Sequence, residues 1–269
     1  MAKVKGLTHL TGNLKGISLY TRRGSDEIIA RTKGGPSKKQ IKKLPAFEKV
    51  RQNNKEWSGC TKMTSGIRYS IRHLTHLADY GFTGALNALT KTIQKCDAEN
   101  PAGQRSLLLS QHKNILAGFN LNKTNPFDSV LRIPLSWETN RKEPGAKVTF
   151  PALNTDIHLN NYRGLPFFRI YVVMGNVSDL IYNTRHDEYG PITPEMHGGS
   201  LCVKSEWFST HSVFEEQSHE IAWSKITNTP IPDCVSLILS VGIEFGTTGV
   251  TGQPVEVKYA GSAKVISVF

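Results

Sequence analysis

VSLILSVGIEF, residues 235–245, alternates with period two. Val235, Leu237, Leu239, Val241, Ile243 and Phe245 share one face, and Ser236, Ser240, Gly242 and Glu244 share the other. Successive side chains of a strand point to opposite sides, so this pattern reads as a half-buried antiparallel strand. Weaker runs of the same kind occupy residues 129–135, 146–150, 167–174, 180–183, 200–203, 219–225, 255–259 and 263–269. Pro, Gly and Asn clusters separate them, as turns separate strands. Residues 126–269 are therefore expected to form an all-β antiparallel sandwich, jelly-roll-like in its many short strands. The closing run, AKVISVF, ends on an apolar residue, and such an end is normally tied into a sheet, its own or a neighbour's.

Upstream of this region the apolar period lengthens. Ile67, Ile71, Leu74 and Ala78 recur at helical spacing and predict an amphipathic helix over about residues 63–80. A shorter helix is expected over 46–54. After Gly81, Phe82, Leu86, Leu89, Ile93 and Cys96 mark a second amphipathic helix, which ends before Asn100-Pro101-Ala102-Gly103. The two would pair as an antiparallel hairpin across residues 63–125.

Residues 1–62 read as a basic arm. Within it ISLYTRRGSDEIIAR, 17–31, predicts two short strands around a Gly-Ser-Asp turn, with Ile17, Leu19 and Ile29 buried. GGPSKKQIKKLP follows as a linker in which Ser37 caps a short helix and Pro45 limits it. The fold class is α+β: a basic N-terminal hairpin and helical segment ahead of a β domain.

Charge is distributed unevenly along the 269 residues. Residues 1–72 hold 17 Lys and Arg against 4 acids, a net +13, whereas residues 73–269 hold 16 against 18, a net −2. A segment of this charge can neutralise phosphates, dock on an acidic face of a neighbouring subunit, or keep an arm solvated. Its candidate contact residues are Arg22, Arg23, Arg31, Lys33, Lys38, Lys39, Lys42 and Lys43. Glu215, Glu216 and Glu220 form a matching acidic cluster on the β domain. Between Tyr20 and Trp57 the only aromatic is Phe47, so the arm carries no platform on which bases would stack.

The sequence carries few motifs that imply chemistry. KGGPSKK, 33–39, lacks the GxxxxGK[ST] spacing of a phosphate loop, and GGSLC, 198–202, lacks the closing glycine of GxSxG. Cys60, Cys96, Cys202 and Cys234 are more than 30 residues apart, fit no CxxC knuckle, and read as buried free thiols. NTRHDEYGPITPEMHGGS, 183–200, gathers His186, Asp187, Glu188, Glu195 and His197. If an ion binds anywhere, His186, Asp187 and His197 would hold it, although a solvated hairpin loop is the simpler reading. Trp137, Trp207 and Trp223 are read as core residues rather than an exposed glycan platform. No cofactor is expected.

No apolar run approaches 18 residues, and the start MAKVKGLTHLTGNLKG has no signal-like apolar region. Synthesis and folding in the cytoplasm without a leader are expected, with later release as part of a particle left open.

ISLYTRRGSDEIIARTKGG (17–35), PAFEKVRQNNKEWSGCTKM (45–63) and YAGSAKVISVF (259–269) resemble a group of uncharacterised proteins of Bacteroidota bacteria and their phages. That resemblance implies a particle or filament component over a metabolic enzyme and supplies no catalytic residues. The expected function is a non-enzymatic structural subunit that assembles with copies of itself. The alternatives are a nucleic-acid-associated, capsid-like protein that uses the basic arm, and a carbohydrate-binding β domain.

Overall fold

In a computed structural model the chain divides into two compact units, Met1–Arg51 and Gln52–Phe269. The residues described are 2–4 (backbone only), 11–22, 25, 27–32, 34–223 and 230–269. The architecture is mixed α+β, and its sheets are antiparallel.

The first unit is a four-stranded sheet followed by a helix. Its strands are β1 (Ala2–Val4), β2 (Gly12–Leu14), β3 (Ile17–Thr21) and β4 (Ile28–Thr32), in the order β1-β4-β3-β2. The hairpin expected over residues 17–31 is thus extended by a strand on each side. Lys15 and Gly16, both at positive φ, turn β2 into β3, as tight hairpins with right-handed strand twist require. Ile28 and Ile29 are buried, but Ile17 is 42% exposed because its partner Leu14 lies on the outermost strand. Helix α1 (Lys38–Lys43) is capped by Ser37, which accepts from the Gln40 N–H while the Gln40 side chain accepts from the Ser37 N–H. The expected linker is therefore a capped helical turn.

Helix α2 (Glu48–Ser70) replaces the two separate helices expected over 46–54 and 63–80. Gly59, in the gap between those two expectations, and Gly66 both serve packing. A Cβ on Gly59 would fall 2.8 Å from the Tyr189 ring, and one on Gly66 would fall 2.3 Å from His197. After Ser70 the chain tightens into a 3₁₀ segment, Arg72–Leu77, before α3 (Thr83–Lys95). The pairings Glu56 with Lys91, Cys60 with Gln94 and Thr64 with Thr90 hold α2 and α3 side by side, antiparallel.

The second unit is organised around a sheet ordered β11 (Ser200–Lys204), β8 (Phe167–Ser178), β15 (Val235–Thr248), β16 (Pro254–Val268). The two-residue β12 (Phe208–Ser209) adds to β8. A second sheet is ordered β14 (Gln217–Ala222), β6 (Gly145–Phe150), β5 (Ser136–Asn140). Two small pairs complete it: β7 (Leu153–Asn154) with β13 (Val213–Phe214), and β9 (Leu180–Asn183) with β10 (Glu188–Pro191).

Alternation along β8 and β15 sorts the core into two layers. Phe168, Ile170, Val172, Leu237, Val241 and Phe245 pack with Val148, Phe150 and Ile221 of the three-stranded sheet. On the opposite face Tyr171, Val173, Val177 and Ile238 pack with Ile67, Ile71, Leu74 and Leu77 of the helical layer.

β15 is consequently buried from Val235 to Phe245 on both faces, which corrects the expectation of a half-solvated strand. Ser236, Ser240 and Gly242 are there because they are small. A Cβ at Gly242 would sit 2.7 Å from Leu74 Cδ2, and one at Gly175 of β8 would sit 2.3 Å from Ser70 Cβ. These positions let the helices reach the sheet.

Other expectations change in detail. Residues 129–135 are not a strand. Pro126 opens a short helix, α4 (Phe127–Val130), whose Phe127 and Val130 are buried together at i, i+3 spacing. The runs 255–259 and 263–269 are one strand, β16, with an irregular register where Gly261 lies against β15. α5 (Thr155–His158) is one further short helix, capped by Asn154. The chain end is held in its own sheet, where Leu237 and Phe269 exchange backbone hydrogen bonds at 2.9 Å. All four cysteines are free, but only Cys60 is buried, and Cys96 is exposed beyond the end of α3. Trp223 is a core residue, whereas Trp137 is 43% exposed on β5. Among the described residues no helix is long and apolar enough to cross a membrane.

Candidate functional site

The first unit holds 13 Lys and Arg against 3 acids, a net +10, and residues 52–269 hold 20 against 19. Most of the positive excess thus belongs to the first compact unit, and residues 52–72 add a net +3 before the chain turns slightly acidic. Arg22 and Arg31 are exposed at strand ends, and α1 exposes Lys38, Lys39, Lys42 and Lys43 with no residue of the helix buried. Arg23 and Lys33 lie outside the described residues.

Lys38 with Lys42, and Lys39 with Lys43, are like charges one helical turn apart. Such a pair disfavours an isolated helix by about 0.2–0.5 kcal/mol. Two features offset this. Lys42 and Lys43 lie at the helix C-terminus, where cations are favoured. The Arg51 guanidinium donates to the Ile41 and Leu44 carbonyls at 2.8 and 2.9 Å and so closes that terminus. The helix thereby presents four ammonium groups on a short, ordered segment.

The expected acidic counterpart is also exposed. Glu215 and Glu216 precede β14, and Glu220 points outward from it. Glu220 stands opposite Lys147 of β6, which stands opposite Glu138 of β5, so the outer face of this sheet carries a negative–positive–negative row. Glu215 and Glu216, exposed just ahead of β14, add two carboxylates next to that strand in the chain.

The 183–200 segment is a β9–β10 hairpin and a 3₁₀ turn, Pro194–Met196, rather than an ion site. Asp187, at the left-handed turn position, pairs with Lys55 of α2 and with the Tyr182 hydroxyl, and Glu188 pairs with Lys62 at 3.0 Å. Those partners hold both carboxyls below the usual carboxylate range. His197 lies against Gly66, with its ring nitrogens 3.3 and 3.4 Å from the Ser178 and Lys62 carbonyls. Burial lowers its pKa. His186 and Glu195 stay exposed. The proposed ion set of His186, Asp187 and His197 is not assembled, because Asp187 and His197 are turned to protein partners. Among the described residues no three His, Cys, Asp or Glu side chains converge on a possible metal position.

Sequence reasoning missed a buried charged network in the second unit. Glu244 of β15, fully buried, accepts from His76 Nε2 at 2.9 Å, Tyr171 Oη at 2.8 Å and Arg169 Nε at 2.6 Å. Burial pushes its pKa up, but the hydrogen bonds from His76 and Tyr171 and the charge of Arg169 outweigh that and hold it below the usual value. Arg169 also reaches Glu256 at 3.2 Å and stacks 4.4 Å over the Trp207 ring. That stack makes Trp207 part of a charged network rather than an apolar core residue. With both oxygens engaged, Glu244 pins the 3₁₀ segment to the sheet and has little capacity left for proton transfer. The only signal in the sequence was one carboxylate inside an apolar strand.

A second buried carboxylate plays the same part between the helices. Glu56 accepts from Lys91 at 2.6 Å and from the Gly103 N–H at 2.9 Å. No family model matches the chain, and neither does any curated protein or solved structure.

Proposed function

We propose that the chain is a non-enzymatic structural subunit whose basic first unit docks on an acidic face of another copy, building a homopolymer. The observation that carries this reading is the coincidence of charge and structure: a net +10 confined to one compact unit, beside a second unit of net +1. Opposite potentials on separate surfaces of one chain suit head-to-tail contact between copies, which propagates unless it closes into a ring. The patch of Glu138, Glu215, Glu216 and Glu220 is the acceptor in this reading. The exposed pair Leu14 and Ile17 on the outer hairpin, 67% and 42% accessible, adds apolar area to the docking surface. The face-packed sheets of the second unit are read as a β-sandwich scaffold that holds the acceptor in place.

Light scattering and negative-stain microscopy of the whole chain in near-physiological salt test the proposal. The parent is expected to form ordered polymers. Lys38, Lys39, Lys42 and Lys43 all changed to Glu should give a monomer, and adding Glu215→Lys, Glu216→Lys and Glu220→Lys should restore assembly. A parent that stays monomeric from low to high salt refutes it.

A further inference from the structure

The aromatic and basic interleaving that the N-terminal arm lacks occurs in the second unit. A cleft of about 810 Å³ opens where the chain leaves the 3₁₀ segment and enters α3, with β16 and the 162–163 turn as its far wall. Tyr80, Tyr162 and Tyr259 bring rings to it, and three cations sit over rings there. Lys123 Nζ lies 4.5 Å from the Tyr80 centroid, Arg68 5.9 Å from that of Phe82, and Arg163 6.0 Å from that of Tyr162.

No acidic side chain among the described residues pairs with any of these cations. Asp79 lines the cleft, but its oxygens are taken by the Lys123 and Thr124 N–H groups at 2.9 and 2.7 Å. Backbone N–H bonds keep that carboxylate ionised, so Arg68, Arg163 and the adjacent Lys123 outnumber the one Asp79 charge and the cleft is net positive. Tyr259 is 59% exposed and stands at φ +56°, a left-handed conformation that disfavours a bulky residue.

A ligand that matches these features has flat rings and negative charge. A purely apolar ligand would leave the cations unused, and a neutral sugar would not need them. A base stacked on tyrosine with its phosphate beside arginine uses both. The volume lies within the range of pockets that take drug-sized ligands, roughly 300–1,000 Å³, which suits one or two nucleotides rather than a duplex. We propose that this cleft binds nucleotide units of single-stranded nucleic acid through stacking on Tyr259 and Tyr80 and phosphate contacts from Arg163 and Arg68.

This site is separate from the basic first unit and does not depend on assembly. The test measures fluorescence anisotropy of labelled ten-residue oligo(dT) and oligo(U) on the whole chain, with UMP and duplex DNA as competitors. Both substituted side chains are exposed, and thermal melting confirms that the variants fold. Tyr259→Ala should weaken oligonucleotide binding about five- to a hundred-fold, and Tyr259→Phe should restore it. Arg163→Ala should weaken binding and reduce the salt slope by about one. UMP should compete weakly, because it occupies a single position. Unchanged affinity in both Tyr259→Ala and Arg163→Ala overturns the proposal and assigns any binding to the first unit. UMP binding as tight as the ten-residue strand overturns the strand as occupant and leaves a free nucleotide. Preference for duplex over single strand also overturns it.

Discussion

Replacing Glu244 by Gln removes one charge from the centre of the network and leaves the shape almost unchanged. Gln offers a single acceptor oxygen where three donors converge, and its amide hydrogens would face the Arg169 guanidinium or the Tyr171 hydroxyl. Breaking a buried ion pair by deleting one partner costs about 3–5 kcal/mol, since the other charge stays buried. Arg169 is 16% exposed and keeps Glu256 at 3.2 Å, so the low end, about 3 kcal/mol, is expected. For a unit of this size 1 kcal/mol moves Tm by about 2–4 °C, which gives a drop of about 6–12 °C. Glu256→Gln is the control, because that carboxylate is 67% exposed and its contribution is about 0–1 kcal/mol. Differential scanning calorimetry of the two variants at pH 7 reads the difference. If Glu244→Gln melts within about 2 °C of Glu256→Gln, the network does not pin the helical layer and the reasoning fails. The pH dependence has a fixed sign. A carboxyl whose folded pKa is lowered stabilises above its unfolded value, and that contribution is lost as pH falls through the folded one.

Four further outcomes follow from packing and local hydrogen bonds. Gly175→Ala should cost at least about 3 kcal/mol or prevent folding, because its Cβ would meet the Ser70 backbone oxygen at 2.5 Å, whereas Gly84→Ala in α3, with open space around it, should gain about 0.5–1 kcal/mol in urea unfolding. Ser240→Ala should be neutral or slightly stabilising in the same assay, since the buried Ser240 hydroxyl has no partner. Asp97 accepts from Asn100 and from the Ser106 and Glu99 N–H groups. Burial opposes ionisation, but these bonds outweigh it and lower the pKa from 3.8 to about 2. The advantage of the parent over Asp97→Asn, about 1 kcal/mol after solvent screening, should be present above about pH 4 and vanish towards pH 2.

How much of this was legible depended on the range of the interaction involved. Period-two alternation located β15 and β8, and Ser37 and Pro45 marked the two ends of α1, because those signals are local. What lay across the sheet was hidden. Ser236, Ser240 and Gly242 look like a solvent face in a single strand, yet all three are buried, and at Gly242 the presence of Leu74 and Leu77 leaves no room for a side chain. The helical spacing likewise gives no sign that Gly59 and Gly66 are packing positions until Tyr189 and His197 are placed against them. α4 has four residues, too few to display a helical period, and the apolar Val130, Leu131, Ile133 and Leu135 at and beyond its end imitate a strand. The charged candidates were visible as charges. Their pairings, such as Asp187 with Lys55 over 132 residues, were not.

The outer edge of β16 is occupied by the chain itself around residues 263–265. Gly118 and Leu121 donate to the Val265 and Ala263 carbonyls, and Val265 and Ala263 donate back to Phe119 and Asn122, at 2.9–3.1 Å. A second molecule that tried to add a strand there would first have to strip this lining away, and bare strand edges are where runaway sheet growth begins. If the proposed assembly forms, its fibres should accordingly diffract as stacks of discrete folded particles, without a strong 4.7–4.8 Å meridional reflection, and dissolve into native subunits when the charge contacts are screened.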